Sequence, residues 1–153
     1  MRFLSISEAA DVLNVSPRQI RRLGLGSTRT AGANARIFDA ADLTVLRVYV
    51  ELAKRFSRWD LAQWKARAAA LYLEPYVRVA VLGSSEMAIV VDDVRGVCEV
   101  RRVSAVGPRD VVLRVSALHA ESVRAVEERR ERQPEVWAGY GYTRRPTLAR
   151  ASA

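Results

Sequence analysis

The sequence has very little of the chemistry from which enzyme and metal sites are usually built. Its 153 residues include one cysteine, Cys98, and one histidine, His119. One cysteine cannot form a disulfide within the chain, and these two residues cannot supply the four ligands of a usual structural zinc site. A Cys–His nucleophilic pair is arithmetically possible, but nothing in the apolar pattern around Cys98 indicates an activated thiol. We therefore expect no enzyme, no metal and no other cofactor.

The chain also lacks a hydrophobic run long enough to cross a bilayer, and its first residues do not have the composition of a secretion signal. We therefore expect a cytoplasmic, nucleoid-associated protein with no membrane partner. Lysine is nearly missing as well, since only Lys54 and Lys65 are lysine among 25 basic residues. GC-rich coding produces such a bias, so most of the arginines are expected to be ordinary surface residues.

Positive charge is what the sequence has in excess. The formal net charge is +8, and the isoelectric point is near 10.5. Half of that net charge lies in residues 1–56, about a third of the chain. An excess of positive charge raises the local concentration of a polyanion and speeds the encounter with it. The composition therefore agrees with a nucleic-acid partner without identifying one.

Residues 4–23 predict two short helices joined by a tight turn. Ser7 is a suitable cap for the first helix, and Asn14 is suited to the turn. Ser16 is a suitable cap for the second helix, with Pro17 at its first position. The solvent side of the second helix carries Arg18, Gln19, Arg21 and Arg22. A short helix of this size and charge is suited to a DNA major groove.

The segment that follows predicts a basic hairpin and a third helix. Residues 27–38 read as two short strands around a turn that contains glycine and asparagine. Arg29 and Arg36 lie in the two arms, and Asp39 is a suitable cap for a helix that continues to residue 56. The predicted elements therefore follow one another as helix, turn, arginine-bearing helix, hairpin and helix. This is the order of a winged helix-turn-helix.

Two segments, ISEAADVLNVSPRQIRR and RIFDAADL, carry a resemblance to a known family. Through them, residues 4–52 resemble the DNA-binding domain shared by MerR-type regulators and phage or plasmid excisionases. In that family the second helix enters the major groove and the wing reaches the adjacent backbone or minor groove. The resemblance implies that Arg18, Gln19, Arg21 and Arg22 read the groove and that Arg36 contacts phosphate. Ser16 and Arg29 complete the predicted DNA-binding set.

The chain departs from many members of that family in two ways. It continues from Arg22 directly into Leu23-Gly24-Leu25-Gly26, without an aromatic and an acidic residue, which predicts a shorter second helix. No long coiled-coil helix of the MerR type is evident after the domain. The lack of metal-ligand clusters also argues against the metal-sensing version of the family.

Residues 57–74 predict a linking helix that Pro75 ends. Its apolar face is predicted to consist of Leu61, Trp64, Ala68 and Leu71. From residue 76 the hydrophobic period changes to two. Four segments then predict antiparallel strands, at 76–82, 86–91, 97–103 and 110–115.

A helix over residues 117–133 completes the predicted second domain, with EERRER (127–132) as its solvent face. We expect residues 75–133 to form a small α+β domain for assembly or regulation. Such a unit is marginal alone, so we expect a homo-oligomer, a dimer, through residues 57–133. The tail, 134–153, has aromatic residues followed by arginines. It could stack on single-stranded nucleic acid, or Trp137 and Tyr140 could hold it on the sheet.

The sequence as a whole predicts an α+β protein with a winged helix-turn-helix at 1–56, a linking helix at 57–74 and an antiparallel sheet with a C-terminal helix at 75–133. The predicted function is sequence-specific binding of double-stranded DNA, as a transcriptional regulator or repressor of phage or mobile-element type. An excisionase-like architectural or recombination factor is one alternative. A protein-interaction or small-ligand module is the other. Five arginines that each neutralise a phosphate predict a salt slope of roughly −4 to −5 per monomer.

Overall fold

The computed structural model describes residues 2–26, 29–31, 35–55, 59–83, 86–92, 97–133 and 142–144, and at 59–66, 97, 111 and 142–144 it describes the backbone alone. Helices and two antiparallel sheets together confirm the predicted α+β class. The helices are α1 (Ile6–Leu13), α2 (Pro17–Leu23), α3 (Ala40–Arg55), α4 (Trp59–Leu82) and α5 (Val115–Arg132). The strands are β1 (Leu4–Ser5), β2 (Arg29–Ala31), β3 (Ala35–Phe38), β4 (Met87–Asp92), β5 (Val97–Arg102), β6 (Val111–Arg114) and β7 (Tyr142–Arg144).

These elements form two compact units. The terminal unit contains residues 1–43 and 122–153, and the central unit contains residues 44–121. Within the described part of the chain, no helix is both long enough and apolar enough to cross a membrane.

The helix α1 begins two residues earlier than the sequence predicts. The Ser5 hydroxyl accepts a hydrogen bond from the Glu8 amide at 3.2 Å, and Glu8 Oε2 accepts one from the Ser5 amide at 2.8 Å. This reciprocal capping box needs a glutamate or glutamine three residues after the cap. Ser7 has Ala10 at that position, so the predicted cap at Ser7 is wrong.

The predicted signals around α2 are confirmed. Ser16 caps the helix, Pro17 occupies its first turn, and the helix is only seven residues long. Asn14 has a left-handed backbone with φ of 55°, as the tight turn requires. Gly24 ends α2 with φ of 65°, a value that glycine adopts without steric cost.

The sheet of the terminal unit has the order β1-β3-β2-β7. The predicted hairpin is confirmed, with Thr30 of β2 opposite Arg36 of β3, while the tip at 32–34 lies outside the described residues. The sequence did not predict β1, a two-residue strand, or β7, whose backbone pairs with β2. Trp137 and Tyr140, the predicted anchors of the tail, lie outside the described residues.

The C-terminal part of α5 belongs to the terminal unit. Its buried side chains, Ser122, Val126 and Arg130, recur every four residues and so share one face. The Arg130 guanidinium donates to Glu8 of α1, and Arg129 donates to Asp11. The prediction that EERRER forms a solvent face is therefore wrong at Arg130, which is buried in an ion pair.

In the central unit, α4 continues through Pro75 to Leu82, so the predicted helix end and the strand at 76–82 are wrong. Pro75 is exposed, and the carbonyl that loses its partner belongs to Leu71, which is also exposed. An ion pair between Arg78 Nη2 and Glu74 Oε1, at 3.0 Å, joins residues on both sides of the proline.

The buried face of α4 also differs from the predicted one. Ala70, Leu73 and Val77 are at most 1% exposed, whereas Ala68 and Leu71 face solvent. Leu61 and Trp64 lie among residues whose side chains are not described. The remaining three predicted strands are confirmed as the antiparallel sheet β5-β4-β6.

Candidate nucleic-acid interface

The exposed side of α2 is a basic surface on a firmly held helix. Ile20 is fully buried and Leu23 is 8% exposed, so this face of α2 packs into the core of the terminal unit. Arg18, Arg21 and Arg22 are exposed. Their spacing of three and four residues brings them to one side of the helix. We call Arg18, Arg21 and Arg22 the α2 arginines.

A second capping box fixes the start of α2. The Ser16 hydroxyl accepts a hydrogen bond from the Gln19 amide at 3.1 Å, and Gln19 Oε1 accepts one from the Ser16 amide at 2.8 Å. These reciprocal bonds satisfy two backbone donors and also hold the Gln19 side chain in one orientation. The structure therefore brings Ser16 and Gln19 together, at the beginning of the surface that carries the α2 arginines.

The α2 arginines have no carboxylate partner within the described residues. No acidic oxygen in this part of the chain lies within 4.0 Å of their guanidinium nitrogens. Within the described residues, therefore, no acidic side chain neutralises their charge.

Arg29 is engaged inside the terminal unit. Its Nη1 lies 2.7 Å from Asp39 Oδ2, and its Cζ lies 5.6 Å from the centroid of the Phe3 ring. Asp39 and Asp42 also bond each other's amides at the start of α3. Arg29 therefore fastens β2 to the start of α3.

Arg36 fastens the other arm of the hairpin. Its Nη2 donates to the Leu25 carbonyl at 2.7 Å, and its Cζ lies 5.2 Å from the centroid of the Phe38 ring. Gly26, next to Leu25, has φ of 83°, and a Cβ there would lie 3.2 Å from Phe38 Cε1. Arg36 and Phe38 thus hold the segment after α2 close to β3.

These contacts give Arg29 and Arg36 a positioning role that the sequence did not predict. Whether they also contact phosphate stays a prediction. Sequence reasoning also missed Glu8 and Arg130, whose ion pair connects α1 to α5. The Ser5–Glu8 spacing could have revealed the capping box, but no local signal could have identified Arg130.

The two residues considered for catalysis lie in the central unit. Cys98 is in β5 opposite Val91, and burial raises the pKa of its thiol, which disfavours the reactive thiolate. His119 Nδ1 lies 3.1 Å from Thr44 Oγ1. Among the described residues, no three histidine, cysteine or acidic side chains are arranged to hold a metal ion. That the protein is not an enzyme stays a prediction.

The central unit also carries a depression of about 510 Å³ lined by Glu86, Arg102, Val103 and Ser104. Two of these residues are charged and only Val103 is apolar.

No family model matches the chain, and no curated protein matches it. The likeness of residues 4–52 to MerR-type and excisionase domains thus rests on the sequence motifs.

Proposed function

We propose that the protein binds double-stranded DNA in a sequence-specific manner, with α2 as the recognition helix of a winged helix-turn-helix in residues 1–56. The observation that carries the proposal is the set of α2 arginines. They lie exposed on one face of a capped helix, without a carboxylate partner among the described residues. The order α1, α2, β2, β3, α3 and the excess positive charge support the same proposal.

The dimensions of α2 support this role. An α-helix with its side chains is about 10–12 Å across, so a B-DNA major groove about 12 Å wide admits it, and the seven residues of α2, at 1.5 Å each, give a length of about 10 Å. In the proposal, the α2 arginines lie in the groove, where each neutralises a neighbouring phosphate and faces base edges, Gln19 meets a base edge, and Ser16 contacts the backbone at the start of the helix. Arg29 and Arg36 hold the hairpin beside them.

The proposed role in the cell is that of a transcriptional regulator or repressor of phage or mobile-element type, in the cytoplasm and on the nucleoid. An excisionase-like factor would share the same DNA-binding surface. Footprinting separates the two roles, because a regulator protects a promoter whereas a recombination factor covers and bends an attachment locus.

The test is selection of binding sites from a random DNA pool with the full chain, followed by fluorescence anisotropy on the selected duplex. The variant Arg18→Ala/Arg21→Ala/Arg22→Ala should lose about 100-fold or more in affinity, since each lost base or phosphate contact costs on the order of 1 kcal/mol. Its control, Arg109→Ala/Arg114→Ala/Arg124→Ala, removes the same charge from exposed positions elsewhere and should lose less than about tenfold.

Equal losses in the two variants would show that only net charge matters and would refute α2 as the reader. Failure of the full chain to bind any duplex at low salt would refute DNA binding itself. Capture of a protein partner by the same surface would then favour the protein-interaction alternative.

A further inference from the structure

The helix α4 carries a second apolar face that the fold does not cover. Five large apolar residues on this face are exposed. Their exposed fractions are 41% for Leu71, 62% for Tyr72, 45% for Tyr76, 71% for Val79 and 88% for Leu82. Together with Pro75 they recur at spacings of three and four residues, so they form one stripe along the helix. We call Leu71, Tyr72, Pro75, Tyr76, Val79 and Leu82 the α4 stripe.

The stripe is large for the surface of a monomer. Its exposed fractions correspond to about three complete side chains, or roughly 600 Å² at about 200 Å² each. The opposite face of α4, with Leu73 and Val77, is already buried in the central unit. An exposed apolar patch of this size indicates a binding surface.

The charges beside the stripe indicate what covers it. Glu74 and Arg78 lie at one edge, each two residues from Tyr76, and their side chains are 23% and 33% exposed. If a two-fold axis passes at Tyr76 and the helices run antiparallel, Glu74 of each copy lies opposite Arg78 of the other. A membrane surface or a nucleic acid would call for a predominantly basic edge, whereas Glu74 and Arg78 are of opposite charge.

We propose that the α4 stripe is the interface of a two-fold symmetric homodimer in which α4 packs antiparallel against α4 of a second copy. Two stripes bury roughly 1,200 Å², the lower limit of stable specific interfaces. A self-complementary patch is what an isologous dimer requires. The proposal narrows the expected dimer surface from residues 57–133 to residues 71–82, and it does not depend on DNA binding.

The first test is sedimentation equilibrium of the full chain. The wild-type protein should be a dimer at about 100 µM, where an association with a micromolar Kd is nearly complete. Val79→Glu should weaken dimerisation by about 100-fold, because it brings two carboxylates into an apolar interface. Its matched control, Ala120→Glu, places the same charge at an exposed position of α5 and should dimerise like the wild type. Circular dichroism checks that both variants are folded.

A wild-type protein that is monomeric at this concentration would overturn the proposal. So would a dimer that Val79→Glu leaves intact.

The second test addresses the antiparallel pairing. Glu74→Arg and Arg78→Glu each place like charges opposite one another in a homodimer, so each variant alone should dimerise more weakly than the wild type. A mixture of the two should form a heterodimer at least about tenfold more stable than either homodimer, since every facing pair is then of opposite charge. The lost Glu74–Arg78 ion pair within each helix cannot produce this rescue, because mixing does not restore it. A mixture that shows no preference for the heterodimer would overturn the antiparallel arrangement.

Discussion

Varying the salt concentration distinguishes, in the proposed DNA site, the arginines that contact phosphate from those that are bonded within the protein. Each neutralised phosphate contributes about −0.9 to the slope of log affinity against log salt. Arg29 and Arg36 bond Asp39 and the Leu25 carbonyl within the terminal unit. If these bonds persist on DNA, only the α2 arginines neutralise phosphates.

The structure therefore lowers the expected slope from roughly −4.5, for five arginines, to about −2.7 per bound subunit. Raising the salt from about 50 to about 200 mM should then weaken binding about 40-fold, whereas five contacts would weaken it about 500-fold. The assay is fluorescence anisotropy on a selected duplex, with the number of bound subunits determined by stoichiometric titration.

Two variants identify which side chains are responsible. Arg21→Ala should reduce the magnitude of the slope by about 0.9 per bound subunit, and Arg36→Ala should leave the slope unchanged, measured below the unfolding temperature of both. Equal reductions from Arg21→Ala and Arg36→Ala would refute the reasoning. They would show that Arg36 leaves the Leu25 carbonyl to reach phosphate, as the family resemblance implied.

Three further predictions concern stability, measured by urea denaturation. Glu8→Gln should reduce the free energy of unfolding by about 3 kcal/mol, because the buried Arg130 loses the negative charge of Glu8, and a loss below about 0.5 kcal/mol would contradict this. Ser16→Ala should lower the free energy of unfolding by about 1 kcal/mol, because α2 loses its capping hydroxyl. Ser16→Thr keeps a hydroxyl and should therefore retain most of that stability. Gly26→Ala should lower the free energy of unfolding by about 1–3 kcal/mol, and by more than Gly24→Ala does. Both glycines have a positive φ, but only a Cβ at Gly26 would meet the Phe38 ring, so equal losses in the two variants would argue against that contact.

The parts of the fold that were predictable are those with local chemical signals. Ser16 and Pro17 start α2, Asn14 and Gly24 bound it, and each signal acts within a few residues of itself. The solvent side of α2 was predictable for the same reason, because Ile20 and Leu23 decide which face is buried.

The parts that were not predictable depend on contacts between distant residues or on ambiguous periodicity. Arg130 pairs with Glu8 across 122 positions, and nothing near Arg130 distinguishes it from the solvated arginines around it. In residues 76–82 the valines satisfy a period of two, yet burial of Leu73 and Val77 fits a period of 3.6. Since residues 70–82 of α4 carry apolar side chains on two opposite faces, the sequence could not select the buried one.

The capping box of α2 has a consequence for the hydrogen-bond polarity of the proposed reading surface. Gln19 Oε1 accepts a hydrogen bond from the Ser16 amide, which leaves the two N–H donors of the side chain for a partner. The α2 arginines carry donors and no acceptor. A surface made mainly of donors matches guanine best, because the major-groove edge of guanine offers two acceptors whereas adenine and thymine each offer one. Selected half-sites should therefore be enriched in guanine, and the lack of any such enrichment would contradict this preference.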